Sequence, residues 1–159
     1  MPSDYYSSIA KGYDALHKEE QLRKLRIIAR HIKPKAPLLD IGAGTGISTS
    51  FFRVKAVALE PSEEMLKQYK GEKVIAKAES IPFPDKYFNT IISITALHHA
   101  DIEKAIKEIK RVSNDGCIYA FTILKKAANA VEIKEKLEKA FCLEEINEDE
   151  KDYILISKK

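Results

Sequence analysis

Three glycines at alternate positions, Gly42, Gly44 and Gly46, follow the short apolar run Leu38-Leu39-Asp40-Ile41. A backbone without Cβ atoms turns sharply and lets a ligand come close to its peptide groups. Binding of a small cofactor is therefore the first chemistry to consider. The spacing excludes two phosphate cradles. Ile47 stands where a dinucleotide fingerprint needs its third glycine, and Gly46 is followed by Ile47 and Ser48 rather than by the Lys-Ser/Thr of a P-loop. Nor do Ser48, Thr49 and Ser50 form the G-x-S-x-G elbow of a hydrolase. What remains is an acidic residue, one spacer, and Gly-x-Gly-x-Gly, led by Asp40.

Other residues with chemical potential stand where later apolar runs end. Glu60 closes the run from Val54, and a carboxylate there accepts two hydrogen bonds from the vicinal hydroxyls of a ribose. That chemistry suits an adenosyl donor and a nicotinamide cofactor alike. Glu79, past Val74-Ile75-Ala76, is placed to accept from an adenine amino group, with Ile81 packed on the ring. His98 and His99 follow the run from Thr90 to Thr95 and are the candidate proton acceptors, since an imidazole titrates near neutrality.

The elements that must hold these residues alternate in type. Extended runs at Leu38–Ile41, Val54–Leu59, Val74–Ala76, Thr90–Thr95 and Cys117–Leu124 are separated by segments of helical period. Ser62 leads one helix with Glu63 and Glu64 in its first turn. Asp101 caps another, in which Ile102, Ala105, Ile106, Ile109 and Val112 recur on one face. Asn114-Asp115-Gly116 reads as the turn after it. Two helical segments are expected ahead of the sheet, one around Ile9, Tyr13 and Leu16 and one from Leu22 to Ile32, stopped at Lys33-Pro34. Beyond Leu124 come a helix marked by Ala130, Ile133, Leu137 and Ala140, and a hairpin around Asn147–Lys151, read as a solvated turn. The pattern predicts parallel βαβ units between two helix layers. Open sheets of this kind bind ligands beyond the carboxyl ends of their strands, where strand order reverses.

Composition narrows the partners. The 159 residues suit one globular domain, and 27 Lys+Arg against 24 Asp+Glu leave a net charge of only +3, too even to point to nucleic acid or a membrane surface. The polar, acidic N-terminus is unlike a secretion signal, and no apolar run is long enough to span a bilayer, so a cytoplasmic protein is expected. Cys117 and Cys142 lack C-x-x-C spacing, which indicates neither a disulfide framework nor a metal site.

The glycine pattern resembles that of the class I S-adenosylmethionine-dependent methyltransferases, and the likeness extends over nearly the whole chain. Ala78-Glu79-Ser80-Ile81-Pro82-Phe83-Pro84-Asp85-Lys86-Tyr87-Phe88-Asn89 is similar to the "acidic residue, x, Leu-Pro-Phe-x-Asp-x-x-Phe-Asp" segment of the small-molecule, ubiquinone/menaquinone C-methyltransferase-like group. Ile9-Ala10-Lys11-Gly12-Tyr13-Asp14 resembles the segment that covers the donor site, Leu59–Leu66 the second motif, and Arg111–Gly116 the Arg-x-Leu-Lys-Pro-Gly-Gly turn. Two departures are Asn89 in place of Asp and Ser113-Asn114-Asp115-Gly116 in place of Lys-Pro-Gly-Gly.

This resemblance implies a Rossmann-like doubly wound α/β sheet of seven strands, the last antiparallel, with helices on both faces. A single domain would comprise N-terminal lid helices over 1–33, a donor-binding core over 38–124 and a closing helix and hairpin over 125–159. S-adenosyl-L-methionine would be the cofactor. Asp40, Gly42, Ala43, Gly44 and Gly46 would hold its methionine part, Glu60 the ribose, and Ala78 and Glu79 the adenine. Pro61, Met65, Ser80, Thr95 and Tyr13 complete the expected donor contacts, with His98 or His99 as base. The acceptor would be a small molecule in an open site, completed by the N-terminal helices or by a second subunit in a homodimer. A donor-binding protein without transfer activity and a nicotinamide-dependent oxidoreductase stand as alternatives.

Overall fold

A computed structural model describes residues 3–158, and side chains over residues 15–158. Its centre is a seven-stranded sheet in the order β3-β2-β1-β4-β5-β7-β6. The strands are β1 (Leu38–Ile41), β2 (Ala56–Glu60), β3 (Lys73–Ile75), β4 (Phe88–Ile94), β5 (Ser113–Leu124), β6 (Leu143–Ile146) and β7 (Asp152–Ser157). Pairing is parallel from β3 through β5, whereas β7 runs antiparallel to both of its neighbours. After β1 the chain builds outward through β2 and β3, then returns to place β4 on the other side of β1. Strand order therefore reverses between β1 and β4.

Strand alternation assigns side chains to the two helix layers. Leu39 and Ile41 of β1, Ile91 of β4, Phe121 of β5 and Leu155 of β7 join the core beneath α4 (Ile102–Val112) and α5 (Ala130–Phe141). Leu38, Ile92, Ala120 and Ile156 face the opposite layer, where Leu25 and Ile28 of α1 (Ser3–Ala29) pack with residues of α2 (Ile47–Phe51). Asp40 lies one residue from Leu39 and so shares the α2 side, fully buried. The Asp101 side chain accepts from the Lys104 N–H at 3.3 Å, which satisfies one otherwise unpaired donor at the start of α4.

Three local expectations change. A single helix, α1, replaces the two N-terminal segments, because the junction Lys18-Glu19-Glu20-Gln21 consists of good helix formers and contains no breaker. Leu16, placed on its apolar stripe, is exposed. Asn114-Asp115-Gly116 is an excursion inside β5 rather than a turn before it: Ser113 pairs with Phe88 and Ile118 with Thr90, leaving four residues opposite Asn89 alone. The departures at Asn89 and Asn114 belong together, since Asn114 Nδ2 donates to Asn89 Oδ1 while Asn89 Nδ2 donates to the Ala36 carbonyl. An Asp at position 89 would lack that second donor.

The Asn147–Lys151 turn is not simply solvated. Asp149 is buried, accepts the Lys151 and Asp152 N–H groups and pairs with Arg23, while Glu148 pairs with Arg30 and His31. Its acidic residues thus tie the hairpin to α1. Among the described residues, no helix is long and apolar enough to cross a membrane.

Candidate functional site

A cavity of about 1030 Å³ opens at the carboxyl ends of β1, β2 and β4, at the reversal of strand order. Gly42, Ala43 and Gly44 form one wall and Glu60, Pro61 and Met65 the next; Ala78, Glu79, Thr95 and His99 also line it. Most of the residues anticipated from the sequence are thus brought together. Asp40 lies behind the glycine turn rather than on the cavity wall, and Gly46 borders an adjoining cleft. Ser80 and His98 do not line the cavity, and Ile81 is buried in the core beneath α4 and α5. The side chain of Tyr13 lies outside the described residues.

Glu60 shows what this wall is built to hold. Its carboxylate is 8% exposed and fixed at both oxygens: Oε1 accepts the Gly44 N–H at 3.0 Å and Oε2 the Ser62 N–H at 2.9 Å. Each oxygen keeps a further lone pair, so a pre-oriented, bidentate acceptor borders the cavity. The approach is open because position 44 is a glycine at φ +58°, where a Cβ would stand 3.3 Å from Met65 Cε. At Gly42, φ +71°, an added Cβ would overlap Ala96, so the glycine lets β1 and β4 end side by side. Gly42→Ala should therefore lower stability by about 2–3 kcal/mol, combining a left-handed backbone with overpacking. Chemical denaturation would measure it.

A methyltransferase-domain family matches residues 39–121, which carry all of these features except those from α1. The chain belongs to the class I S-adenosylmethionine-dependent methyltransferases. It is 38% identical over 138 residues to an uncharacterised protein of Methanocaldococcus jannaschii, covering 82% of this chain and 53% of that protein. It is 28% identical over 140 residues to the ubiquinone/menaquinone biosynthesis C-methyltransferase of Photorhabdus laumondii, covering 73% and 56%. The chain thus spans about half the length of the curated relatives it matches. A solved S-adenosylmethionine-dependent methyltransferase from Thermotoga maritima shares the fold, with a TM-score of 0.70, 18% identity and coverage of 98% and 91%.

S-adenosyl-L-methionine is the cofactor of this methyltransferase family, and the residues present fit it. The clamped Glu60 offers two acceptors to a vicinal diol, and the Cβ-free Gly44 leaves the neighbouring peptide groups approachable. Behind the turn, Asp40 Oδ2 accepts the Ser48 and Thr49 hydroxyls at 2.5 and 2.7 Å, while the equally buried Oδ1 has no partner among the described residues. With both hydroxyls donating to Oδ2, the proton that this buried carboxyl keeps sits on Oδ1.

Burial pushes the Asp40 carboxyl up to about 7, opposed by the two hydroxyls and reinforced by the Glu60 charge. The folded carboxyl therefore keeps its proton over a range in which the unfolded chain has already lost it. Asp40 contributes stability near pH 5 that is lost as pH rises through 7. His98 acts in the opposite sense, because burial, followed by the nearby His99, lowers its pKa. The informative quantity is thus the difference between wild type and Asp40→Asn, whose amide stays neutral throughout. Its stability relative to wild type should rise between pH 5 and 7.5 in thermal melts without donor, and a flat difference would contradict the buried, protonated carboxyl.

The two histidines separate in the structure. His99 lines the cavity; His98 packs against it, the rings tilted by 44° with centroids 3.9 Å apart, and its buried Nδ1 has no hydrogen-bond partner among the described residues. Sequence reading missed a cluster beneath them. Lys24 Nζ donates to Thr95 Oγ1 at 2.7 Å and to Asp152 Oδ2 at 3.3 Å, Thr95 Oγ1 donates to the same carboxylate at 2.7 Å, and Thr122 Oγ1 lies 3.0 Å from Thr95 Oγ1. Thr95 holds the rare φ of +55° there, with its N–H bonded to Thr122. Also unanticipated are Gln21 and Lys18 of α1, which line the same cavity. Helical periodicity alone carries no signal for polar residues turned toward a ligand site.

Proposed function

We propose that this methyltransferase transfers the methyl group of S-adenosyl-L-methionine to a small-molecule acceptor held between the donor cavity and α1. The clamped Glu60 carboxylate beside the glycine turn carries the reading, because it offers rigid bidentate recognition of a ribose. In this arrangement Glu60 binds the ribose, residues 42–46 approach the methionine part, and Ala78 and Glu79 border the adenine. Bound there, the donor supplies an electrophilic sulfonium methyl, so the protein's task is mainly orientation.

His99 takes the proton of an acceptor that loses one on methylation. His98, its pKa lowered by burial, keeps a neutral ring behind His99 near pH 7. Gln21 and Lys18 support α1 as the wall that closes the acceptor site within one chain, in place of a second subunit. The even charge balance favours a small molecule over nucleic acid, and a cytoplasmic setting accords with that substrate class.

Incubation with radiolabelled donor and fractionated metabolite extracts tests the proposal. Label should enter a low-molecular-weight product, and His99→Asn should slow transfer while leaving S-adenosylhomocysteine affinity intact. Tight donor binding without transfer to any fraction would favour a non-catalytic donor-binding protein.

A further inference from the structure

On the other side of the glycine turn, a second cleft of about 750 Å³ opens among α1, α2 and the segment after α3 (Glu63–Leu66). Its charged lining has one sign. Lys18 comes from α1, Arg53 from the turn after α2 and Lys70 from the segment after α3, and among the described residues no carboxylate lines the cleft with them. None of the three makes an ion pair among the described residues, whereas Arg23, Lys24 and Arg30 of the same N-terminal region all have carboxylate partners. Asp40 and Glu72 act on the Tyr69 phenol from outside the lining, while three cations from three separate elements give the lining itself a positive charge that concentrates anions.

The floor is aromatic. Phe51 and Tyr69 line it, and the Tyr69 ring is pinned between two glycines: a Cβ at either Gly46 or Gly71 would overlap it. Burial, with the nearby Asp40 and Glu72 charges, raises the Tyr69 pKa, so the phenol remains a donor. A cleft with cationic and hydroxyl donors above flat apolar rings matches a planar base carrying a phosphate.

We infer that this cleft is a second ligand site, separate from the donor cavity, that binds a nucleoside phosphate through Lys18, Arg53 and Lys70, with the base on Phe51 and Tyr69. The two sites share a rim of Lys18, Thr45, Ile47 and Gln68.

Amide-resolved NMR titration with adenosine 5′-monophosphate tests this, with S-adenosylhomocysteine saturating so that the adenosine of the probe cannot enter the donor site. Shifts should concentrate at residues 45–53 and 68–71. The double variant Arg53→Gln/Lys70→Gln should weaken the nucleotide by tenfold or more, while S-adenosylhomocysteine affinity, measured separately by calorimetry, stays within threefold. Inorganic phosphate should perturb the same residues at least fivefold more weakly. No localised shift, or affinity indifferent to the double variant, overturns the site. Phosphate equal to the nucleotide overturns the role of the aromatic floor. An RNA oligonucleotide bound a hundredfold more tightly, and lost in the double variant, replaces the nucleotide with nucleic acid as ligand.

Discussion

Glu60→Gln should weaken S-adenosylhomocysteine binding about a hundredfold while leaving the chain folded. Both oxygens of the native carboxylate accept a backbone N–H, from Gly44 and from Ser62. An amide of the same shape keeps one of those bonds and turns its NH₂ toward the other N–H, which loses a charge-assisted bond and opposes two donors. Hydrogen bonds to charged groups contribute about 1.5–3 kcal/mol, and the variant also surrenders one of the two acceptors proposed to meet the ribose. A loss of about 2.7 kcal/mol corresponds to the stated factor. Isothermal titration calorimetry reads it directly, and the thermal midpoint checks that the wall has not collapsed. An affinity within threefold of wild type would remove Glu60 from the donor site.

The place of Glu60 on the cavity wall is legible in the sequence because three kinds of signal coincide there. A strand-like run ends, a proline follows, and a carboxylate sits one helix away from a glycine pattern that few other structures require. The sheet was legible for the same reason: its strands and helices are short, amphipathic in the expected periods, and separated by strong turn residues. Legibility fails where a residue's role depends on a partner far along the chain. Ser48 and Thr49 read as ordinary polar residues at a helix start, yet they are buried donors to Asp40. Asp149 and Asp152 sit in a run of acids typical of a solvated turn, but lie more than 120 residues from the cations of α1 that they face. Long-range polar pairing leaves no periodic trace. The two helical segments expected at the N-terminus fail differently, for a period-based reading marks where apolar faces begin and does not by itself show that the helix between them is broken.

Lys24→Met is expected to be the most damaging single change to stability. Lys24 is 5% exposed and Asp152 2% exposed, so removing the ammonium leaves a buried carboxylate with no cation. Breaking one side of such a pair costs about 3–5 kcal/mol. For a chain of this size, that corresponds to a fall of roughly 10 °C in the thermal midpoint. Replacing both partners, in Lys24→Met/Asp152→Asn, should recover much of the loss, because neither charge then remains buried alone; a double-mutant cycle isolates the coupling. The consequence reaches the site through Thr95, which lines the donor cavity and whose hydroxyl joins the Lys24 ammonium to the Asp152 carboxylate. Its left-handed backbone is unfavourable for a β-branched residue and persists because α1, β5 and β7 all grip it. With the ammonium gone, α1 loses an anchor next to Gln21 and Lys18, and Thr95 loses one of the contacts that fix it. S-adenosylhomocysteine affinity should therefore fall in Lys24→Met even at temperatures where the variant is fully folded, and recover only in part in the double variant, which restores charge balance but not the Lys24–Thr95 bond. Unchanged affinity in the folded single variant would confine the cluster to stability and detach α1 from donor binding.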